Sequence, residues 1–388
     1  MGSEKIALIH YHEISLKGGN RPLFEKALLA NIKTALGGWY EKGKIFSGRI
    51  AIALGPDADE DAVKERLRRV FGIANFAFTQ KLSSDFETFS QEAFDEVARK
   101  EFGTFRIAAR RSDKSFPVTS QEINERLGLR IKEQLGKKVD LDYPDLTCFL
   151  EIAGKEVFLY FEKEKGYGGL PVGTSGRVLS LLSSGFDSPV AAWSMMRRGC
   201  EVAFVHFHSY PSTSQASQEN VKEIAKILTQ YQYHSTLYLV PFLPVQKAML
   251  AAIADTKNRV ILYRRFMMRI AERVAEKAKY GALVTGDSLG QVASQTLENI
   301  AVISAAVSMP VFRPLIGENK ENIIARAKEI GTNDASSQPY EDCCSLFVPE
   351  HPETKANLLV VKRLESKLDA EALISEAIEK TETMQFTF

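Results

Sequence analysis

The chain has 388 residues, 45% apolar and 26% charged, which suits two or three globular domains and excludes a disordered or collagen-like chain. Fifty Lys and Arg against 49 Asp and Glu leave a net charge of +1, so any nucleic-acid footprint has to be local. The first residues lack the apolar stretch of a signal peptide, no run reaches the ~18 apolar residues of a membrane span, and the four cysteines (Cys148, Cys200, Cys343, Cys344) form neither a disulfide framework nor a zinc-type spacing. A cytoplasmic protein with no membrane partner and no resident metal cluster is expected.

In chain order, residues 1–59 read as a strand (Ile6 to Tyr11), a helix (Pro22 to Leu36) and a strand (Arg49 to Leu54), ending in the turn Gly55-Pro56-Asp57. This is a small α+β domain. Residues 60–165 read as a second: a helix from Glu60 to Val70, a strand near Phe76 to Gln80, a helix from Ser90 to Phe102, a strand from Phe105 to Arg111, a helix from Gln121 to Leu135, and strands over 146–152 and 156–161. Four glycines and a proline in residues 166–173 mark a linker. Residues 174–388 then alternate apolar strands (178–182, 201–208, 235–240, 282–285) with helices (188–198, 215–231, 257–279). The fold class that follows is α/β: a C-terminal parallel sheet wrapped by helices, preceded by two small α+β domains, with ligands at the C-terminal ends of the parallel strands.

The turn after the first of those strands is Ser183-Ser184-Gly185-Phe186-Asp187-Ser188-Pro189. Ser188 suits an N-cap, Pro189 the first helical position and Gly199 the C-terminal cap. Backbone amides of the turn at a helix N-terminus would cradle phosphate oxygens. An ordinary capped turn fits the same residues. No Walker-type phosphate loop is present.

Three more clusters carry chemistry. In Gly286-Asp287-Ser288-Leu289-Gly290-Gln291-Val292-Ala293-Ser294-Gln295-Thr296, Gly286 permits close backbone approach, and Asp287 suits Mg²⁺ or a ribose, with a polar helix cap as the alternative. The helix before it carries Arg259, Arg264, Arg265 and Arg269; a solvated face accounts for most, while Arg264 and Arg265 are placed to reach phosphate. Lys320 falls near a helix start, against the macrodipole, which points to a task other than helix stability. Finally, Glu341-Asp342-Cys343-Cys344-Ser345 offers a nucleophilic thiol, or else a buried, inert pair, since adjacent cysteines neither bridge readily nor share a tetrahedral zinc.

Ser183-Ser184-Gly185-Phe186-Asp187-Ser188, opening a helix, resembles the Ser-Gly-Gly-x-Asp-Ser pyrophosphate-binding PP-loop of ATP pyrophosphatases, with Ser184 where Gly is usual. Taken with the 286–296 cluster, Lys320 and the cysteine pair in this order, the chain resembles the tRNA 4-thiouridine synthetases. Tyr11-His12-Glu13-Ile14-Ser15-Leu16-Lys17-Gly18-Gly19-Asn20-Arg21 is similar to that family's ferredoxin-like start, with His12 where Gly is usual. The stretch around Phe116-Pro117, with Arg106, Arg110, Arg111 and Lys114 before it, is similar to its THUMP RNA-binding domain. Independently, nine basic and four acidic residues between Thr104 and Lys138 give a local +5 that suits phosphate contacts, or a solvated helix face.

The resemblance implies an ATP-dependent tRNA sulfurtransferase: O4 of the uridine at tRNA position 8 is adenylated, then a cysteine persulfide delivers sulfur and expels AMP. By position it implies that Asp187, Lys320, Cys343 and Cys344 are catalytic. It places nucleotide on Ser184, Gly185, Ser188, Arg264, Gly286, Asp287 and Gln295, and adenine on the backbone of Leu182, Ser183, Phe207 and His208. ATP and Mg²⁺ are the implied cofactors. The implied partners are tRNA, a cysteine desulfurase or other sulfur donor, and a thiamine-pathway sulfur carrier; a homodimer is compatible with it. Only 44 residues follow Cys344, which leaves no room for the rhodanese-like domain that some members add, so sulfur is expected to reach the cysteine pair directly.

Overall fold

The structure, a computed structural model, describes residues 5–112, 116–339, 341, 343, 347 and 351–388. The chain divides into two compact units between Pro171 and Val172, inside the glycine-rich stretch.

In the first unit β1 (Lys5–His10) leads through a short 3-10 helix (Glu13–Asn20) to α1 (Arg21–Leu36), β2 (Tyr40–Phe46) and β3 (Arg49–Leu54). Then come α2 (Glu60–Arg69), β4 (Asn75–Leu82), α3 (Phe86–Ala98), β5 (Thr104–Arg111), α4 (Ser120–Leu135), β6 (Lys138–Val139), β7 (Leu146–Ala153), β8 (Glu156–Tyr160) and β9 (Glu164–Lys165). They form one nine-stranded sheet in the order β2-β3-β1-β4-β8-β7-β5-β6, with β9 also on β4. The central strand β4 is what joins the two halves: it pairs antiparallel with β1 on one side and with β8 on the other.

Helix starts follow local chemistry. The Asp59 carboxylate accepts from the Ala62 amide at 2.7 Å, Asp85 accepts from Thr88 at 3.0 Å, and Thr119 and Glu122 form a reciprocal capping box. The Asp85 cap starts α3 at Phe86 rather than at Ser90, so that Phe86 and Phe89 join the core of Ile107, Ile123, Leu127, Leu150 and Leu159. Strand β2 escaped the periodicity reading because Tyr-Glu-Lys-Gly-Lys-Ile-Phe is a polar edge strand broken by Gly43.

The second unit contains β10 (Arg177–Leu181), α5 (Asp187–Arg197), β11 (Glu201–His208), α6 (Ala216–Thr229), β12 (His234–Pro241), α7 (Leu243–Ala252) and α8 (Arg259–Ala278). After these come β13 (Leu283–Val284), α9 (Leu297–Ser304), β14 (Val311–Phe312), α10 (Lys320–Glu329), α11 (Asn333–Ser336), α12 (Leu358–Glu365), α13 (Ala370–Glu379) and β15 (Glu382–Thr387). The sheet order is β14-β13-β10-β11-β12-β15. Five strands are parallel, and β15 closes the edge antiparallel to β12.

Strand order runs outward from β10 in both directions: β11 and β12 on one side, β13 and β14 on the other. The crossovers therefore diverge between β10 and β13, opening a crevice at their C-terminal ends. The residues expected to bind nucleotide follow those two strands. Beneath them lies a core built on α7, α8 and α13, with Phe207, Phe242, Tyr263, Phe266 and Met267 buried.

Candidate active site

A cavity of about 290 Å³ occupies this crevice, and its wall includes Leu182, Ser183, Asp187, Ser188, Phe207, Arg264, Gly286, Asp287, Gln295 and Cys343. Five chain segments far apart in sequence thus converge on one space.

The turn after β10 folds back on itself. Ser188 does not cap α5; the helix begins at Asp187 without a side-chain cap, and the Ser188 hydroxyl reaches back to the Ser183 amide at 2.8 Å and the Ser183 carbonyl at 3.2 Å. The first amides of α5 are consequently uncapped by any side chain among the described residues, and Asp187 and Ser188 line the cavity, which suits an anion. Ser184 is buried, takes an ordinary negative φ, and donates to the Ser217 carbonyl at 3.0 Å. Serine in place of glycine is therefore accommodated without backbone strain. Past the helix, Gly199 takes φ +89°, the left-handed position that ends α5.

Gly286 is required by proximity. A Cβ there would lie 2.8 Å from the Ser188 nitrogen and 2.9 Å from the Asp187 carbonyl carbon, so the two loops touch through backbone alone. Asp187 accepts from the Lys320 ammonium at 2.7 Å and from the Gln291 amide at 3.0 Å. A lysine at the start of α10 thus pairs with the aspartate that opens α5.

Asp287 is differently placed. Its carboxylate, almost fully buried, accepts from Arg264, from Arg313 at 3.1 Å, from Thr285 at 2.7 Å and from Gln295 at 3.4 Å. Burial alone would raise this carboxyl, but the charge and hydrogen bond of Arg264, then Thr285 and Arg313, outweigh it and hold it below the usual range. Asp287 is thus the hub that aims two guanidiniums. Arg313, directly after the two-residue strand β14, escaped the sequence reading because so short a strand leaves no periodic signal.

Of the five arginines of α8, Arg264 alone lines the cavity, where it also donates to the Ser294 hydroxyl at 3.1 Å. Arg265 is turned into the core, paired with Glu365 at 2.7 and 2.9 Å, and does not reach the site. Arg259 donates to the Phe347 carbonyl at 2.9 Å and Arg269 pairs with Glu371 at 3.3 Å. Leu182 donates its amide to Val205 at 2.8 Å, and His206 Nδ1 lies 2.9 Å from its carbonyl; His208 lies outside the cavity wall, its carbonyl accepting from Phe242 at 2.8 Å.

Cys343 is buried at 7% exposure, part of the core and of the cavity wall at once. Its carbonyl accepts from Gln246, and the neighbouring Glu341 carboxylate accepts from the Ser214 amide at 3.0 Å. Cys344 lies outside the described residues. Cys148 and Cys200 are buried and remote, and burial pushes the Cys148 thiol up to about 12.

In the first unit Arg106 and Arg110 share one face of β5, while Arg111 faces the other way and donates to the Phe116 and Val118 carbonyls at 2.7 and 2.9 Å. Lys114 lies outside the described residues. Lys163, which sequence reading missed, joins the Arg106 and Arg110 face: its ammonium sits 4.3 Å from the Phe149 ring centre, and burial, followed by the charges of Arg110 and Arg106, holds it below its ordinary value.

A helix-opening turn that suits an anion, an arginine and a cysteine on one cavity of a parallel-sheet unit define a class of nucleotide-binding domain with a thiol in its site. Comparison with known proteins narrows this class. Residues 173–370 match the family described as thiamine biosynthesis protein (ThiI), residues 6–77 its ferredoxin-like domain and residues 83–162 the THUMP domain. Similar proteins include a probable tRNA sulfurtransferase of Thermus thermophilus, 44% identical over 97% of this chain and 93% of that one, and one of Coxiella burnetii, 41% identical over 98% and 99%. A solved 4-thiouridine synthetase, in complex with RNA and bound ATP, superposes with a TM-score of 0.88 at 35% identity, covering 99% of this chain and 100% of that one. The chain belongs to the ThiI family.

Proposed function

We propose that the chain is an ATP-dependent tRNA sulfurtransferase that converts the uridine at position 8 of tRNA to 4-thiouridine. The observation that carries this reading is the convergence of Cys343 with Asp187, Arg264, Asp287 and Gln295 on one cavity, a thiol beside the turn that opens α5.

A uracil oxygen is a poor leaving group until it is adenylated. O4 attacks the α-phosphate and pyrophosphate leaves; the amides at the start of α5, Arg264 and Lys320 offset the charge that moves onto the leaving phosphates. The terminal sulfur of a Cys343 persulfide then attacks C4, and AMP departs with O4. A second thiol then cleaves the S–S bond, releasing 4-thiouridine and forming a disulfide with Cys343 that an external thiol reduces before the next turnover; Cys344 is the candidate within the chain if the backbone there accepts a strained vicinal disulfide, and a thiol from outside the chain serves otherwise. Sulfur is supplied to Cys343 by a cysteine desulfurase or another persulfide donor.

Among the described residues no group of three or more His, Cys, Asp or Glu could hold a metal ion by itself, and Asp287 is occupied by its arginines. Asp187 is the carboxylate that fits Mg²⁺ arriving on ATP phosphates, the way this ion is usually held, and Mg²⁺ there would neutralise phosphate charge. The basic face of Arg106, Arg110 and Lys163 would supply phosphate contacts to tRNA.

The test is nucleoside mass spectrometry after incubating the protein with unmodified tRNA, ATP, a persulfide donor (a cysteine desulfurase with free cysteine) and a thiol reductant. 4-Thiouridine should form with wild type and be lost in Cys343→Ser, which should still release pyrophosphate. Absence of 4-thiouridine from wild type, with a control synthetase active on the same tRNA, would refute the assignment.

A further inference from the structure

The cysteine segment lies between α11 and α12, and its described residues belong to no helix or strand. Hydrogen bonds to other described residues include Glu341 to the Ser214 amide at 3.0 Å, the Cys343 carbonyl to Gln246 Nε2 at 2.8 Å, and the Phe347 carbonyl to Arg259 at 2.9 Å, in that order along the chain. The first and third are at the surface, where water can substitute for either partner. The second is buried, and water cannot replace it.

Gln246 projects from the first turns of α7, is fully buried, and uses both ends of its amide. Oε1 accepts from the Ser209 hydroxyl at 2.6 Å, just past β11, while Nε2 donates to Cys343. These two bonds fix the orientation of the amide: turned over, it would set Oε1 against the Cys343 carbonyl, two acceptors facing each other. Nothing in adenylation requires this bridge, since Gln246 is absent from the cavity wall.

We propose that Gln246 is a positioning residue for the sulfur-transfer half of the reaction: through Ser209 and the Cys343 carbonyl it registers the cysteine against the end of the parallel sheet, where the activated base must lie. This inference rests on Cys343 being the sulfur nucleophile. A displacement of about 1 Å at a reacting atom costs on the order of 100-fold in rate. Loss of the bridge should therefore separate the two half-reactions.

The experiment uses the full-length protein with tRNA, ATP, a cysteine desulfurase with free cysteine as persulfide donor and a thiol reductant, reading pyrophosphate release, 4-thiouridine yield and melting temperature on the same preparations. Gln246→Leu should release pyrophosphate within about 3-fold of wild type while 4-thiouridine formation falls roughly 30- to 100-fold. Gln246→Glu adds a readout that a purely structural role would not move. Its carboxyl can donate to the Cys343 carbonyl only when protonated, and burial raises its pKa, so thiolation relative to wild type should recover as pH is lowered from 8 to 6. Wild-type thiolation by Gln246→Leu overturns the proposal. So does a parallel fall of both half-reactions and the melting temperature, or a flat pH ratio for Gln246→Glu. Cys343→Ser, run alongside, separates the two failures: if it still makes 4-thiouridine the proposed function of the cysteine is wrong, whereas if it is inactive and Gln246→Leu is normal only the positioning role is wrong.

Discussion

Asp187 and Asp287 carry the same carboxylate and hold opposite positions in the site. The Asp187 side chain is partly exposed and pairs with a lysine that is 43% exposed, so the pair contributes little to stability and is free to exchange Lys320 for ligand. Asp287 is buried between two guanidiniums, and its removal strands both of them. Asp187→Ala should therefore change unfolding free energy by less than about 1 kcal/mol while lowering thiolation at least ~100-fold and sparing tRNA affinity. Asp287→Ala should cost about 3–5 kcal/mol of stability, the usual penalty for breaking a buried ion pair. Urea titrations of the two variants beside filter binding check both. Equal stability losses would show that the burial contrast does not set the outcome.

At the level of strands and helices, a second buried cluster joins the two halves of the first sheet. Glu151 on β7 pairs with His10 of β1 at 2.8 Å and with Arg49 of β3, and Tyr160 of β8 donates to it at 3.1 Å. Burial by itself would raise the Glu151 carboxyl; His10 and Arg49 outweigh it and pull it from its ordinary 4.5 to about 2. Because the folded value is the lower one, the stabilisation is complete above pH 4.5 and drains away as pH falls toward 2, a difference of roughly 3 kcal/mol. Glu151→Gln should flatten that part of the acid-denaturation curve, followed by circular dichroism. This cluster was invisible in the sequence, since residues 10, 49, 151 and 160 meet only once β4 has placed β1 and β8 on either side of itself. The alternation of apolar strands and helices after residue 174, by contrast, announced the parallel sheet, and the turn after β10 and the glycine at 286 announced two walls of its cavity. Local pattern carried those features; Arg313, Gln246 and Lys163 act through partners far along the chain, which no window of sequence contains. Strand β15 was missed for a related reason: Glu-Thr-Met-Gln-Phe-Thr is a half-polar edge segment that becomes a strand by pairing with β12.

For the whole molecule, nucleotide chemistry resides in one unit and the basic face of β5 in the other, each with its own sheet and core. Residues 172–388 alone should melt cooperatively and bind ATP within about 3-fold of the full chain, yet yield at least ~100-fold less 4-thiouridine, because orienting one uridine depends on phosphate contacts made elsewhere. Calorimetry and nucleoside analysis decide it; efficient thiolation by the fragment would contradict the division of labour. Raising salt should weaken tRNA binding steeply and ATP binding far less, measured by titration of the full chain. The edge strand β15 also bears on how the chain is made. On the ribosome, β12 emerges about 140 residues before its partner, so at ~5–20 residues per second its open edge, with Leu237, Leu239 and Val240, waits roughly 7–30 s for cover. During that interval the nascent chain presents an apolar strand ready to pair with any other, which makes this unit a natural client of ribosome-associated chaperones and makes a stop codon at Thr381 a predicted cause of inclusion bodies rather than of a merely inactive enzyme.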